Sequence, residues 1–306
     1  MTRRGLVLSG GGGRGAYQAG VYKYLTEQGY IPEIISGTSV GAINTVALGC
    51  GLNADQLIAL WQTINVGKVM KYRFFRMIMD FFLNRMSPIA DPAPLENFLS
   101  ENLNFDVLRT NHTQVYISAT NILNGELELF TNHQITVKHI LASAAIPMVF
   151  PWQKIANKMY WDGGLMANTP ILPLIERDIR DIVIVLLSPI GNVEIEEPKN
   201  RGEALERVFE LIQIGSFQNF KYSIESGKSL SNVSLTDMLK SQLKGFVDDI
   251  IRGGEFKLRI VSPKTSLGMA SILNFSPKHA DRLIKIGYED AKEQLGDLTV
   301  KEEVNE

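Results

Sequence analysis

Two short stretches decide the fold: Leu6-Val7-Leu8-Ser9-Gly10-Gly11-Gly12-Gly13-Arg14-Gly15 and Ile34-Ile35-Ser36-Gly37-Thr38-Ser39-Val40-Gly41. Each is a brief apolar run that breaks into glycines, and each is followed by residues at helical spacing. After Gly15, the residues Tyr17, Val21, Tyr24 and Leu25 share one helical face, and the pattern stops at Gly29. After Gly41 a second helical pattern runs from about Ala42 to Leu48. Strand, helix, strand, helix within about fifty residues implies a parallel sheet with crossover helices.

The same alternation continues outward. Asn53 is placed to cap a helix with Leu57, Leu60, Trp61 and Ile64 on one face. Val115 to Ala119 reads as a buried strand, and Asn124-Gly125 as a hairpin turn leading into Leu127-Glu128-Leu129. Ile182 to Leu187 has the composition of a strand covered on both faces. Phe256 to Val261 reads as a further strand, and Ser276-Pro277 opens a last helix through Leu283, Ile284 and Ile286. The expected fold is α/β: three layers, α/β/α, around a mostly parallel central sheet. Residues 5–190 form its catalytic core. Residues 191–300 supply a helical region with one more strand, expected to complete the same domain. The stretch from about Glu194 to Gly254 is the least readable, mostly helical by pattern, and reads as an insertion or a subdomain on the sheet.

Bulk composition narrows the function. The chain has 306 residues, 45% hydrophobic and 21% charged, an ordinary globular balance. Its net charge of −2 is spread over both halves, so nucleic acid is not an expected partner. Cys50 is the one cysteine, which excludes an internal disulfide and fits a reducing compartment. The start lacks the pattern of a cleaved signal, and no window reaches the ~18 apolar residues of a spanning helix. A cytoplasmic protein, or one peripheral to a membrane, is expected.

Gly37-Thr38-Ser39-Val40-Gly41 is a nucleophile-elbow pattern, placed between an apolar strand and a helix. Such a turn exposes the serine hydroxyl at the positive end of the following helix. The glycine run supplies a second part, because successive glycines after a strand free backbone N–H groups to converge on an anion. Gly10, Gly12 and Gly15 also satisfy G-x-G-x-x-G, the dinucleotide fingerprint. That reading needs an acidic residue at the end of the second strand, where Ser36-Gly37-Thr38-Ser39 stands instead. The oxyanion of an acyl-transfer intermediate is the better anion. Asp162-Gly163-Gly164, after the strand-like Lys158 to Trp161, is by itself a turn. It gains meaning only in combination.

G-G-G-x-R-G, then G-x-S-x-G on the next strand, then D-G-G much later is an ordered set that resembles the patatin-like phospholipases. Ala142-Ser143-Ala144-Ala145-Ile146-Pro147 and Asn168-Thr169-Pro170 are similar to that family too. Gly13 at the variable loop position and Val40 after the serine are mild departures. The resemblance implies Ser39 as nucleophile, with Asp162 as its base in a dyad lacking histidine. It implies an oxyanion loop of Gly11, Gly12 and Gly13, with Arg14 organising it, and motif glycines at Gly10, Gly15, Gly37, Gly41, Gly163 and Gly164. The implied reaction is ester hydrolysis on phospholipid or lysophospholipid through an acyl-serine, with neither metal nor dissociable cofactor.

Two other readings stay open. Ser39, Asp162 and His279 follow the order of an α/β-hydrolase triad, which would act on soluble esters. A lipid-binding protein with a vestigial site is the third. His112, His133, His139 and His279 show no metal-ligand spacing. Val66 to Met86 mixes Lys and Arg with Phe74, Phe75, Phe81, Phe82 and several methionines. That mixture suits a core helix, a lid, or peripheral contact with a membrane surface.

Overall fold

The computed structural model describes residues 3–72, 88–190, 197–200, 203–204, 207–208, 210–212, 214–215, 257–268 and 271–298. Most of the stretch from Val66 to Met86, and most of the Glu194–Gly254 insertion, therefore lies outside the described residues.

The opening alternation is realised as β1 (Arg4–Leu8), α1 (Ala16–Glu27), β2 (Ile34–Thr38) and α2 (Val40–Gly49). A single 3₁₀ turn, Gly12–Gly15, stands between β1 and α1. Next come α3 (Ala54–Thr63), the short α4 (Val66–Val69) and a small antiparallel pair, β3 (Lys71–Tyr72) with β4 (Ala90–Asp91). Asn53 caps α3 in a reciprocal box: its side chain accepts from Gln56 N, and the Gln56 side chain accepts from Asn53 N, each at 2.9 Å. Then follow α5 (Ala93–Asn102), α6 (Phe105–Thr110), β5 (Gln114–Asn121), β6 (Leu127–Thr131) and α7 (Val137–Ser143). The turn between β5 and β6 has Gly125 at φ 72°, where a side chain would be strained. The described chain closes with β7 (Gln153–Ile155), β8 (Lys158–Asp162), α8 (Leu172–Glu176), β9 (Asp181–Val185), β10 (Lys257–Val261) and α9 (Pro277–Leu295).

The sheet runs β10-β9-β1-β2-β5 with every pair parallel. Beyond β5 it turns antiparallel, with β6, β8 and β7. The fold is therefore α/β with a mostly parallel central sheet. Both faces are covered, and the strands alternate between two apolar clusters. Leu6, Leu8, Val183 and Val185 face the larger one, with side chains of α1, α2, α3 and α9. Val7, Ile34, Ile182 and Ile184 face the smaller, closed by Ile171, Leu174 and Ile179 around α8. Full burial on both faces explains why β9 reads as an uninterrupted Ile/Val run.

Chain order departs from β1 in both directions, β2 to one side and β9 to the other. The switch point, where ligands of open α/β sheets bind, thus lies outside the carboxyl ends of β1 and β9. The glycine loop leaves β1 there, and the Ser39 turn leaves the neighbouring β2.

Candidate active site

Ser39 follows the last residue of β2 and precedes α2, with φ 57° and ψ −124°. A non-glycine residue held there costs about 1–3 kcal/mol unless its surroundings fix it. They do. The Ser39 amide donates to Ser143 Oγ at 2.9 Å, and the Ser39 carbonyl accepts from Ala42 N at 2.9 Å. Gly41 lets α2 come down on the Leu8 and Ser9 carbonyls, where a Cβ would meet Ser9 O at 2.7 Å. The elbow is therefore set by close backbone approach, as its glycines predict.

Asp162 reaches Ser39 by strand register. β2 pairs with β5 through Thr38↔Ser118 and ends there. β8 runs the opposite way and ends on Asp162, paired with Ala119, the next residue of β5. β6 occupies the other flank of β5 over Tyr116 to Thr120, so β2 and β8 share one flank and meet end to end. Adjacent β5 positions are ~3.3 Å apart. Thr38 Oγ1 and Ser118 Oγ pair at 2.5 Å beneath the junction, and Thr120 Oγ1 donates to the Asp162 carbonyl at 3.0 Å. A side chain at Gly163 would collide with Ser118, which is why glycine follows the aspartate.

Both Ser39 and Asp162 are buried. The Asp162 carboxyl accepts from the Gly164 amide at 2.7 Å. Burial pushes its pKa up to about 7, opposed by hydrogen bonding from the Ser39 hydroxyl and the Gly164 amide. A carboxyl poised near neutrality beside a serine hydroxyl has the properties of a general base.

The glycine loop lies on the other side of the serine: a Cβ on Gly10 would sit 3.0 Å from Ser39 Cβ. Gly10 N donates to the Asn168 side chain at 3.0 Å, and Gly13 N to the Ile272 carbonyl at 2.7 Å. Arg14 N returns to the Gly11 carbonyl at 3.2 Å. Among the described residues, the Gly11 and Gly12 amides donate to nothing. Gly11 has φ 158° and Gly12 φ 57°. A network under the loop holds it to α2: Asn44 Nδ2 donates to Gly15 O and Gln18 Oε1, and Trp61 Nε1 donates to Asn44 Oδ1.

Arg14 is 2% exposed. Nε donates to Ser271 Oγ at 2.6 Å, Nη2 to Gly268 O at 3.1 Å, and Nη1 to Glu210 Oε1 at 2.7 Å. These contacts tie the one side chain of the loop to residues 210, 268 and 271. His279 is not brought to the pair. It lies in the first turn of α9, with Nδ1 at 3.4 Å from Arg282 Nη2. Burial first, then the charges of Arg282 and Arg14, hold its pKa below the usual value. No hydrogen bond joins it to Ser39 or Asp162 among the described residues.

Ser143, Asn168, Asn44 and Glu210 are the supporting residues that sequence reading missed as site residues. Ser143 and Asn168 sit in the Ala142–Pro147 and Asn168–Pro170 stretches that carry the resemblance, but their bonds span more than a hundred positions. Asn44 had one local signal, a polar side chain that only Thr45 joins in an otherwise apolar helix. Glu210 had none.

Several proteins resemble this chain in sequence or fold. "Lysophospholipase NTE1" of Cryptococcus neoformans is 26% identical over 218 residues, 66% of this chain and 12% of that protein. A "cGAMP-activated phospholipase" of Pseudomonas aeruginosa is 28% identical over 225 residues, 67% of this chain and 66% of that one. This chain thus spans less than two thirds of either relative. The crystal structure of VipD from Legionella pneumophila superposes with TM-score 0.56 over 96% of this chain and 67% of that one, at 17% identity, a likeness of fold. The model of the family described as patatin-like phospholipase matches residues 6–175, more than half the chain and every element that carries Ser39, Asp162 and the glycine loop, and the chain belongs to that family.

Proposed function

We propose that this chain hydrolyses carboxylic esters of phospholipids or lysophospholipids through an acyl-serine formed by Ser39 and Asp162. The observation that carries the reading is the end-to-end meeting of β2 and β8, which sets a strained serine against a buried carboxyl beside two undirected loop amides. Asp162 takes the Ser39 proton as Oγ attacks the ester carbonyl. The Gly11 and Gly12 amides receive the oxyanion, while Gly13 and Arg14 hold the loop. Collapse expels the alcohol, which takes the proton back from Asp162. Water, deprotonated by the same carboxylate, then releases the fatty acid and restores the serine.

The apolar rim supports a lipid substrate. Met148 is 59% exposed, Met166 49% and Trp152 40%. Met166 lies one turn beyond Gly163, to which its amide bonds, and Met148 follows Ala145, whose carbonyl takes the Asp162 amide. Tyr72 and Ile89 extend the rim at the β3–β4 pair, where Ile89 N bonds Met148 O. No described helix is long and apolar enough to cross a membrane. We place peripheral lipid contact on this rim and on the Val66–Met86 stretch that adjoins it in sequence.

A fluorophosphonate probe tests the reading. Wild-type protein should label at Ser39 and hydrolyse phospholipid or lysophospholipid, and Ser39→Ala should do neither while remaining folded. Substantial turnover by the purified alanine variant would exclude Ser39 as nucleophile. A folded wild type that neither labels nor turns over would favour a lipid binder.

A further inference from the structure

We propose that Glu210 is a positioning residue for this reaction: its carboxylate fixes the Arg14 guanidinium, and through it the Gly11 and Gly12 amides. The proposal rests on the hydrolase reading above and assigns a task to a segment outside the residues matched by the family.

Gly10 to Gly15 contains one side chain, that of Arg14. Glycine is the least restrained backbone, so this loop cannot be held by packing of its own side chains. Its form depends on amide bonds at Gly10 and Gly13 and on where the guanidinium is anchored. The anchor is almost fully enclosed, with the side chains of Arg14 and Glu210 2% and 3% exposed at an N···O distance of 2.7 Å. Every other described acceptor of Arg14 is neutral: Ser271 Oγ, Ser188 Oγ and the carbonyls of Leu187 and Gly268.

Glu210 is itself locked. Oε2 accepts from Arg207 Nη1 at 2.7 Å, and Oε1 also accepts from Ser188 Oγ at 3.0 Å. Three parts of the chain therefore converge on one carboxylate: the glycine loop, the end of the β9 strand region at Ser188, and the segment around residue 210. A buried cation that loses its partner must shift or draw in water. Arg14 is two residues from Gly12, so that shift passes directly to the oxyanion donors. Displacing reacting groups by ~1 Å can cost about 10²-fold in rate.

Glu210→Gln keeps the shape and removes the charge. Well below its unfolding temperature, kcat on a short-chain ester should fall about 10–100-fold with KM within about threefold, since only transition-state contacts are disturbed. Amide exchange at Gly13 and Arg14 should quicken while that of α1 and α2 does not. Glu203→Gln, a half-buried change on the same segment that touches neither Arg14 nor the loop, should leave kcat as in wild type. Should Glu210→Gln not fold, the double variant Arg14→Met with Glu210→Met removes both charges and should fold with kcat still low, because the loop has lost its anchor. Wild-type kcat in a folded Glu210→Gln or double variant overturns the proposal, as does an equal fall in Glu203→Gln. If wild-type protein itself has no esterase activity and no probe labelling, the hydrolase reading fails instead. The exchange measurement then decides alone whether Glu210 holds the loop: unchanged rates at Gly13 and Arg14 reject it.

Discussion

In the proposed mechanism Asp162 concentrates the chemistry into one titration. Burial raises its pKa to about 7, and as the proposed base it must be ionised to accept the serine proton. Ester hydrolysis should therefore decline as pH falls through about 7, approaching tenfold per unit below it. A histidine base would also titrate near ~6.5, so substitutions separate the two better than the profile. Asp162→Asn should cost about 10²–10⁴-fold in kcat. His279→Ala should stay within a few-fold, because that imidazole lies against Arg282. Equal damage from both substitutions in folded proteins would restore the triad. The same pKa carries a stability consequence. Between the ordinary 3.8 and about 7 the folded chain holds a proton that the unfolded chain releases, so this residue's contribution falls as pH rises through that window. Asp162→Asn, which cannot ionise, should melt at or above the wild-type temperature at pH 8. A clear drop in Tm would show that the carboxylate is instead stabilised by its site. Ser39 was legible because its glycines flank it in sequence. Asp162 was legible only from the ordered set of motifs, since Asp-Gly alone specifies a turn.

At the scale of elements, the strained serine is held by a partner from α7. Ser143 is fully buried, and its hydroxyl satisfies the Ser39 amide. Ser143→Ala leaves a buried N–H unpaired, which costs about 1–3 kcal/mol. The expected result is a lower Tm by thermal denaturation together with a fall in kcat, since the elbow is free to relax. A variant that loses stability but keeps full kcat would show that the elbow is fixed by its glycines alone. Nothing in the Ala142–Pro147 stretch announces this bond, because a serine among alanines is a common helix residue and its partner lies in the turn between β2 and α2. The direction of β8 was equally hidden. Lys158 to Asp162 has the composition of a strand, but whether it runs with or against β5 is decided by the path of the chain around it. The parallel half of the sheet was readable, because strand-helix alternation dictates it.

For the whole molecule, the residues matched by the family end well before the structure does. β10 extends the sheet beside β9, and α9 lies along α1 with glycines at the closest approaches, Gly20 against Ile284 and Gly287 against Tyr17. Tyr17 Oη donates to Asp290 Oδ2 at 3.0 Å in the same contact. The turn before α9 supplies the Ile272 carbonyl for Gly13 and the Ser271 hydroxyl for Arg14. Sequence patterning found β10 and α9, through the apolar run to Val261 and the Ser276-Pro277 start, but not their contact with the loop, which joins positions more than 250 residues apart. A chain ending at Gly254 would lose the burial of Leu283, Ala280 and Ala291 and uncover the face of α1 that they pack on. Each large apolar side chain returned to water costs about 1.5–3 kcal/mol, against a net stability of about 5–15 kcal/mol. Such a truncated chain should show no cooperative thermal transition by circular dichroism and no probe labelling at Ser39, although it retains every motif residue. A truncated protein that unfolds cooperatively and labels at the wild-type rate would show that the segment matched by the family folds and acts without its C-terminal strand and helix. Partial order without labelling would instead locate the contribution of α9 in the loop geometry, through Ile272 and Ser271.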